Sequence, residues 1–201
     1  MPAREQQSVK QSSDGTELLR AFIALELTPG ARRVAAALQD ELRRASANIR
    51  WVEPANLHVT LKFLGDAKPA VLDRLADRLR ESLQGVHRVP LTVAGAGAFP
   101  GASQPRVVWA GVREHEEIGR LYSLVETAAV TCGFPPERRP FRAHLTLGRV
   151  KSPGDLSIAL GEQALREYRS ETELAHSVTL FQSELTHRGA VYSARYEVEL
   201  V

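Results

Sequence analysis

The feature that most constrains the fold of this chain is a short segment that occurs twice. His58-Val59-Thr60-Leu61 returns, with Leu in place of Val, as His144-Leu145-Thr146-Leu147. Side chains of a β-strand alternate between its two faces, so each copy places a histidine and a threonine on one face and two apolar residues on the other. Such a strand buries its apolar face in a core and presents an imidazole and a hydroxyl on the opposite side.

The repetition extends beyond these four residues. The second copy follows the first by 86 residues (144 − 58), and a strand-like apolar stretch precedes each histidine by 36 residues, measured from Phe22 to His58 and from Val108 to His144. A helical pattern fills both intervals. One His-x-Thr segment alone is most often incidental, but an internal repeat of this kind predicts two similar supersecondary units that face each other.

The remaining periodicity predicts one bilobal α+β domain over residues 17–201. Alternating apolar residues predict strands over residues 17–27, 57–64, 89–99, 106–112 and 142–150, and a C-terminal hairpin over 174–185 and 190–201. Apolar residues at helical spacing predict helices over residues 28–47, 69–84, 114–132 and 155–168.

Composition narrows the classes of function. Hydrophobic residues make up 43% and charged residues 25% of the chain, as in ordinary soluble proteins. No apolar run approaches the roughly 20 residues that span a bilayer. Residues 1–16 are polar and lack the apolar core of a secretory signal, so we expect a disordered tail, no membrane contact and a cytoplasmic location. The net charge of +2 suits a nucleic-acid substrate without requiring one.

Cysteine and histidine usage bears on cofactors. The single cysteine, Cys132, excludes an internal disulfide. No Cys/His cluster has the spacing of metal ligands. We therefore expect no metal and no other cofactor. Separately, we expect a monomer.

Four stretches together resemble a known family; they are residues 56–65, 105–111, 144–149 and 180–185. The two His-x-Thr-x motifs resemble the signature of the 2H phosphoesterases. Their surroundings resemble the RNA 2′,3′-cyclic phosphodiesterase branch, also called the 2′-5′ RNA ligase (ThpR or LigT) family. The resemblance covers nearly the whole chain from Leu18 onward. It implies two pseudo-symmetric halves with antiparallel sheets, motif strands that line a central cleft, and helices outside.

The resemblance also implies a role for each site residue. His58 would be the proton donor, His144 the proton acceptor, Thr60 and Thr146 hydrogen-bond donors to phosphate oxygens, and Arg149 a phosphate contact. The implied reaction is metal-independent hydrolysis of RNA or nucleotide 2′,3′-cyclic phosphates to 2′-phosphomonoesters, with weak 2′-5′ ligation in reverse. Opening the ring needs a base for the water and an acid for the leaving oxygen. Imidazole, with an ordinary pKa near 6.5, serves both roles at neutral pH.

Two alternatives stay open at this point. The substrate could be another cyclic phosphate, such as ADP-ribose cyclic phosphate, or a 2′-5′ oligoadenylate. The fold could also serve as a non-catalytic RNA-binding module, although two intact motifs count against that interpretation.

The strand pattern leaves some side chains ambiguous. In a regular strand Arg149 would lie on the face opposite His144, so it reaches the site only if the strand ends or bulges near Gly148. Lys62 is either a second cleft residue or an exposed residue at a strand end. Two aromatic residues are predicted to belong to the core rather than to stack on a base; they are Phe63 and Trp109.

Overall fold

The computed structural model describes residues 17–45, 48–113, 115–152, 156, 168–186 and 189–201. Within these residues the helices are α1 (Pro29–Ala45), α2 (Pro69–Leu83) and α3 (Glu116–Thr131). The strands are β1 (Leu19–Glu26), β2 (Ile49–Trp51), β3 (His58–Ala67), β4 (Val89–Leu91), β5 (Val93–Phe99), β6 (Val107–Val112), β7 (His144–Val150), β8 (Glu173–Ala175), β9 (Ser177–Thr186) and β10 (Gly189–Glu199). The predicted tail over 1–16 lies outside the described residues, as does nearly all of the predicted helix over 155–168.

Eight of these strands form one antiparallel sheet, in the order β10-β9-β1-β3-β7-β6-β5, with β2 paired to β7. The remaining strands, β4 and β8, pair with each other. The predicted α+β fold is confirmed, and its repeat is visible in the pairing. In each unit a strand leads through a helix to a motif strand that pairs antiparallel with it, β1-α1-β3 and β6-α3-β7.

The two units meet at the centre of the sheet. A single residue pair, Val59 with Leu145, joins β3 to β7 in antiparallel sense. Because the strands run in opposite directions, the register brings His58 towards Thr146 and Thr60 towards His144. The two copies of the repeat therefore lie side by side with an approximate twofold relationship.

The helices cover one face of this sheet and fix its register. On that face the apolar residues of the two motifs, Val59, Leu61, Leu145 and Leu147, are buried. They belong to the same core as the apolar stripes of the helices, which include Leu38, Leu42, Leu72, Leu75, Leu79, Ile118, Leu121 and Val125. Each such side chain contributes about 1.5–3 kcal/mol when it is buried, so a one-residue slip of either motif strand would be costly. None of the helices in the described part of the chain is long and apolar enough to cross a membrane.

Helix α1 begins where the sequence predicts. The hydroxyl of Thr28 accepts a hydrogen bond from the amide of Ala31 at 3.3 Å, and Pro29 opens the helix. A second acceptor comes from far along the chain, since a carboxylate oxygen of Glu173 lies 2.8 Å from the amide of Gly30. These hydrogen bonds hold α1 against the sheet, and α1 in turn carries two side chains that support the site.

Three strand predictions were wrong at their ends. The strand predicted to stop at Gly65 continues to Ala67, because Gly65 adopts a positive φ of 72° at a register shift and the pairing with β1 resumes beyond it. The single strand predicted over 89–99 is divided into β4 and β5, which pair with different partners. The C-terminal hairpin is confirmed as β9 and β10, but its first strand, predicted from residue 174, begins at Ser177, because Glu173–Ala175 form the separate strand β8. The predicted turn residues 187–188 lie outside the described residues.

Candidate active site

A β-bulge follows the threonine of the first motif. Thr60 and Lys62 pair with consecutive residues of β1, so Leu61 is the extra residue. A bulge reverses the side-chain alternation beyond it. Lys62 therefore turns into the core, while Phe63 turns outward and is 67% exposed. Phe63 lies on the same face as His58 and Thr60, which we call the histidine face; His144 and Thr146 lie on it as well.

The second motif carries the same bulge at the equivalent position. Thr146 and Gly148 pair with consecutive residues of β6, so Leu147 is the extra residue. Gly148 is buried, and Arg149 is exposed on the histidine face. Glycine is required here because a Cβ would lie 2.4 Å from Cγ2 of Ile49 on β2. The bulge that the sequence pattern left open is present, and it brings Arg149 to the side of His144.

A buried amide holds the second bulge in place. The side-chain nitrogen of Gln39, on α1, donates to the carbonyl of Leu147 at 2.8 Å and to the carbonyl of Val52 at 2.7 Å. The amide of Val52 donates to the same Leu147 carbonyl at 2.9 Å. Bulged strands leave backbone groups unpaired, and an unpaired buried carbonyl is costly. Gln39 therefore gives the carbonyl of Val52 its donor and the carbonyl of Leu147 a second one, a role that the helical pattern of α1 does not reveal.

In the first motif, the residue directly after the bulge takes part in a buried ion pair. The ammonium of Lys62, only 5% exposed, lies 2.9 Å from a carboxylate oxygen of Glu126 on α3 and 2.7 Å from the carbonyl of Pro135. Both interpretations of Lys62 from the sequence were wrong, because the bulge sends it inward. The same Glu126 oxygen accepts from the amide of Glu137 at 2.7 Å. The pair thus ties β3 to the segment that leads into β7.

Each motif histidine is fixed by a backbone carbonyl two residues before it. Nδ1 of His58 lies 2.8 Å from the carbonyl of Asn56, and Nδ1 of His144 lies 2.7 Å from the carbonyl of Arg142. A carbonyl only accepts hydrogen bonds, so Nδ1 carries the proton in both rings. In the neutral rings the lone pair therefore resides on Nε2, the nitrogen that is free to exchange a proton with a ligand.

The ring of His58 lies among aromatic side chains. It stacks on Phe22, with centroids 4.7 Å apart, and meets the edge of Tyr192 at 5.5 Å. This burial lowers the pKa of His58 to about 4, and nearby positive charge from Arg32 acts in the same direction. Arg32 also donates to the carbonyls of the turn that precedes His58, at 2.7 Å to Pro54. In the ligand-free chain His58 is therefore a neutral imidazole at pH 7.

The ring of His144 has its own aromatic neighbours. The ring centroid of Phe99 lies 5.2 Å from that of His144, and the ring centroid of Trp109 lies 6.5 Å from it, both in edge-to-face arrangements. Trp109 packs over Gly97, where a Cβ would lie 2.3 Å from the indole ring. Trp109 is only partly buried and supports His144 on the histidine face. The prediction that Trp109 and Phe63 belong to the core was therefore wrong for both residues.

The remaining predicted residues also meet on this face. Thr60 and Thr146 are partly exposed, and neither hydroxyl makes a hydrogen bond to another described residue. The positive charge of Arg149 acts on Tyr192, where it opposes the rise in the pKa of the phenol that burial causes. Tyr192 itself meets the ring of His58 edge to face. All five predicted site residues lie on the histidine face. In the described part of the chain no three histidine, cysteine, aspartate or glutamate residues are grouped so that they could hold a metal ion.

Sequence and structure comparisons agree with this arrangement. The model of the LigT-like phosphoesterase family matches residues 25–109 and 111–192. A relative from Methanothermobacter thermautotrophicus, named RNA 2′,3′-cyclic phosphodiesterase, is 38% identical over 178 residues, covering 87% of this chain and 95% of the relative. One of the same name from Archaeoglobus fulgidus is 35% identical over 183 residues, covering 87% and 96%.

Solved structures show the same fold. A crystal structure of a Thermus thermophilus protein superposes with a TM-score of 0.72 at 25% identity, covering 90% of this chain and 98% of that one. Escherichia coli LigT in complex with 3′-AMP gives a TM-score of 0.72 at 23% identity, covering 92% and 99%. The fold and the paired motifs define a 2H phosphoesterase, as the sequence predicted. Within that class, the chain belongs to the LigT-like phosphoesterase family.

Proposed function

We propose that this chain hydrolyses the 2′,3′-cyclic phosphate end of RNA to a 2′-phosphomonoester. The observation that carries the proposal is the pair of imidazoles on one face, each with Nδ1 bound to a carbonyl and Nε2 left for a ligand. Two such groups are what an acid–base reaction at phosphorus requires. The names of the relatives support the same reaction.

The proposed mechanism assigns one proton transfer to each histidine. Nε2 of His144 takes a proton from the attacking water, and Nε2 of His58 gives a proton to the leaving ribose oxygen. In-line attack places the two oxygens on opposite sides of phosphorus, which suits histidines that approach from different strands. The unbonded hydroxyls of Thr60 and Thr146, together with the guanidinium of Arg149, donate to the non-bridging oxygens.

If His58 is the acid, substrate binding must raise its pKa. With a pKa of about 4, only about one His58 ring in a thousand is protonated at pH 7 in the free chain. A phosphate anion bound between the histidines favours the imidazolium and raises that pKa. His58 therefore acquires its proton as the substrate enters and is not protonated beforehand.

We further propose that the base of the substrate stacks on Phe63. This ring is largely exposed on the histidine face and lies 6.3 Å from Phe22, the residue on which His58 stacks. An exposed phenyl group beside a phosphate site is suited to a nucleobase of any identity, because every base has a π-face. The complex of the related E. coli LigT with 3′-AMP is consistent with a nucleotide ligand.

The test is hydrolysis of 2′,3′-cyclic AMP with the products separated by chromatography. We expect 2′-AMP, unchanged turnover in excess EDTA, and a kcat lowered by at least about 10²-fold in the double variant His58→Gln/His144→Gln. Predominant 3′-AMP would mean that the ribose binds the other way round, and the roles assigned to His58 and His144 would lose their support. Absence of turnover on this substrate and on cyclic-ended oligonucleotides would leave a binding module or another cyclic phosphate as the better interpretation.

A further inference from the structure

Two arginines lie side by side on the histidine face, beyond the catalytic motifs. Arg50 of β2 pairs directly with Arg149 of β7. Their neighbours in the register, Ile49 and Gly148, are buried against the core, so the two arginines point to the opposite face. Side chains of directly paired residues have their Cβ atoms about 4.5–5.5 Å apart, and like charges in that position repel.

No acidic side chain offsets this repulsion among the described residues. Neither Arg50 nor Arg149 makes an ion pair there, whereas the ion-paired arginines lie on the helices and on β10; they are Arg43, Arg44, Arg78, Arg80, Arg120 and Arg195. Unpaired guanidiniums held side by side are a binding surface for an anion, and planar guanidiniums suit phosphate in particular.

The position of the pair argues against one phosphate for the whole surface. Because of the bulge at Leu147, Arg149 lies only two ladder positions beyond Thr146, opposite Val107 instead of Trp109, which is about 7 Å along the sheet. Arg149 is exposed on the histidine face, on the strand that carries His144 and Thr146. Arg50 lies on β2, which pairs with the same edge of β7 as β3 does, further along the strand from the two motifs. One guanidinium serves the reacting phosphate, and the other is left over.

We propose that Arg50 binds the internucleotide phosphate on the 5′ side of the cyclic end, so that this chain selects oligonucleotides over mononucleotides. The inference rests on the proposed function, because it takes the cyclic phosphate to lie between the histidines. That phosphate occupies both the 2′ and the 3′ oxygen of the terminal ribose. Any further nucleotide is therefore attached through the 5′ oxygen, and its phosphate is the next anion along the chain.

The experiment compares 2′,3′-cyclic AMP with an RNA pentanucleotide that ends in a 2′,3′-cyclic phosphate. For Arg50→Gln we expect kcat/KM on the pentanucleotide to fall about tenfold and kcat/KM on the mononucleotide to stay unchanged, since one charge-assisted phosphate contact is lost. The matched control is Arg44→Gln, an ion-paired arginine on the exposed side of α1, which should change neither value. An equal loss on both substrates, or no loss on either, would overturn the proposal.

Binding separates this inference from the proposed function. Anisotropy titrations use a labelled pentanucleotide with a terminal 2′-phosphate, which needs no turnover. The dependence of log K on log salt should weaken by about 0.7 in Arg50→Gln, the value for one phosphate contact on a single strand. The melting temperature of Arg50→Gln should not fall, because the substitution relieves a like-charge pair. An unchanged salt dependence would show that Arg50 contacts no phosphate. A lowered melting temperature would show that Arg50 has a structural role. Either result would refute the proposal.

Discussion

The two motif strands have the same backbone and different surroundings. Both have a histidine tethered to a carbonyl, a threonine and a bulge at the following leucine. In β3 the bulge is followed by a buried lysine and an exposed phenylalanine, and in β7 by a buried glycine and an exposed arginine. The repeat thus fixes the positions of the two histidines and two threonines, while the residues after the bulge give the two halves different charge and aromatic character.

The catalytic test of this comparison is the largest effect that we expect. His58→Gln and His144→Gln should each lower kcat on 2′,3′-cyclic AMP by about 10²–10⁴-fold, because each removes one proton transfer. The double variant should be little worse than either single variant, since the two groups act as a unit. A single variant that kept activity within about tenfold of the wild type would show that only one half is catalytic.

The ion pair of the first half predicts a large loss of stability. Lys62→Met leaves the Glu126 carboxylate in the core without its cation, and removal of one partner of a buried pair costs about 3–5 kcal/mol. Denaturant titration measures this difference. Lys62→Met combined with Glu126→Leu should regain most of the loss, since no charge is then buried. If Lys62→Met alone were neutral, the ion pair would not be what secures β3.

The burial of His58 predicts that the free energy of unfolding falls as the solution becomes acidic. The unfolded chain protonates His58 near pH 6.5, whereas the native chain does so only near its lowered pKa of about 4. Above pH 6.5 His58 is neutral in both states and stability is unaffected. As the pH falls from 6.5 to 4, only the unfolded state takes up the proton, so the free energy of unfolding declines by about 3 kcal/mol from this group.

Denaturant titrations at pH 7 and pH 4.5 measure that decline. His58→Gln should remove this part of it, whereas His144→Gln should retain it. Equal pH dependence in the wild type and His58→Gln would mean that the ring is hydrated in solution.

The amide of the second half predicts a smaller loss. Gln39→Leu leaves the carbonyl of Val52 without its donor and should cost about 1–3 kcal/mol. Turnover should fall as well, because the bulge at Leu147 orients Arg149. In an Arg149→Gln background the same substitution should have little further effect on turnover, which a double-mutant cycle measures. If the effects of the two substitutions on turnover were fully additive, Gln39 would not act through Arg149.

The exposed phenyl group of the first half gives the smallest expected effect. Phe63→Ala should raise KM about tenfold with kcat nearly unchanged, since base stacking contributes about 1–3 kcal/mol. Phe63→Trp, the control, should preserve KM. If Phe63→Ala lowered kcat and left KM unchanged, the ring would support the reacting groups and not the base.

The repeat allowed the strand–helix–strand units, their antiparallel fold and the shared face of the two histidines and two threonines to be inferred from the sequence, whereas Arg149 was predicted only from the family resemblance. The sequence could not place Lys62, Phe63 or Trp109, because strict alternation gives the wrong face once a strand contains an extra residue. Gly148 marks the second bulge in the sequence, but Leu61 in the first has no such sign. The supports of the site are also long-range. Gln39 reaches Leu147 across 108 residues, a hydrogen bond that no local pattern contains.

The bulges have a consequence for how this fold is adapted to different ligands. The fifth residue after each histidine, Phe63 or Arg149, is exposed on the histidine face, because the bulge reverses the alternation and turns this side chain away from the core. The residue types at positions 63 and 149 can therefore change without a change in the core or in the two histidine motifs. Under the proposed function, a chain with aromatic residues at both positions would bind two bases, and a chain with cations at both would bind two phosphates. The reaction at the two histidines would be the same in each.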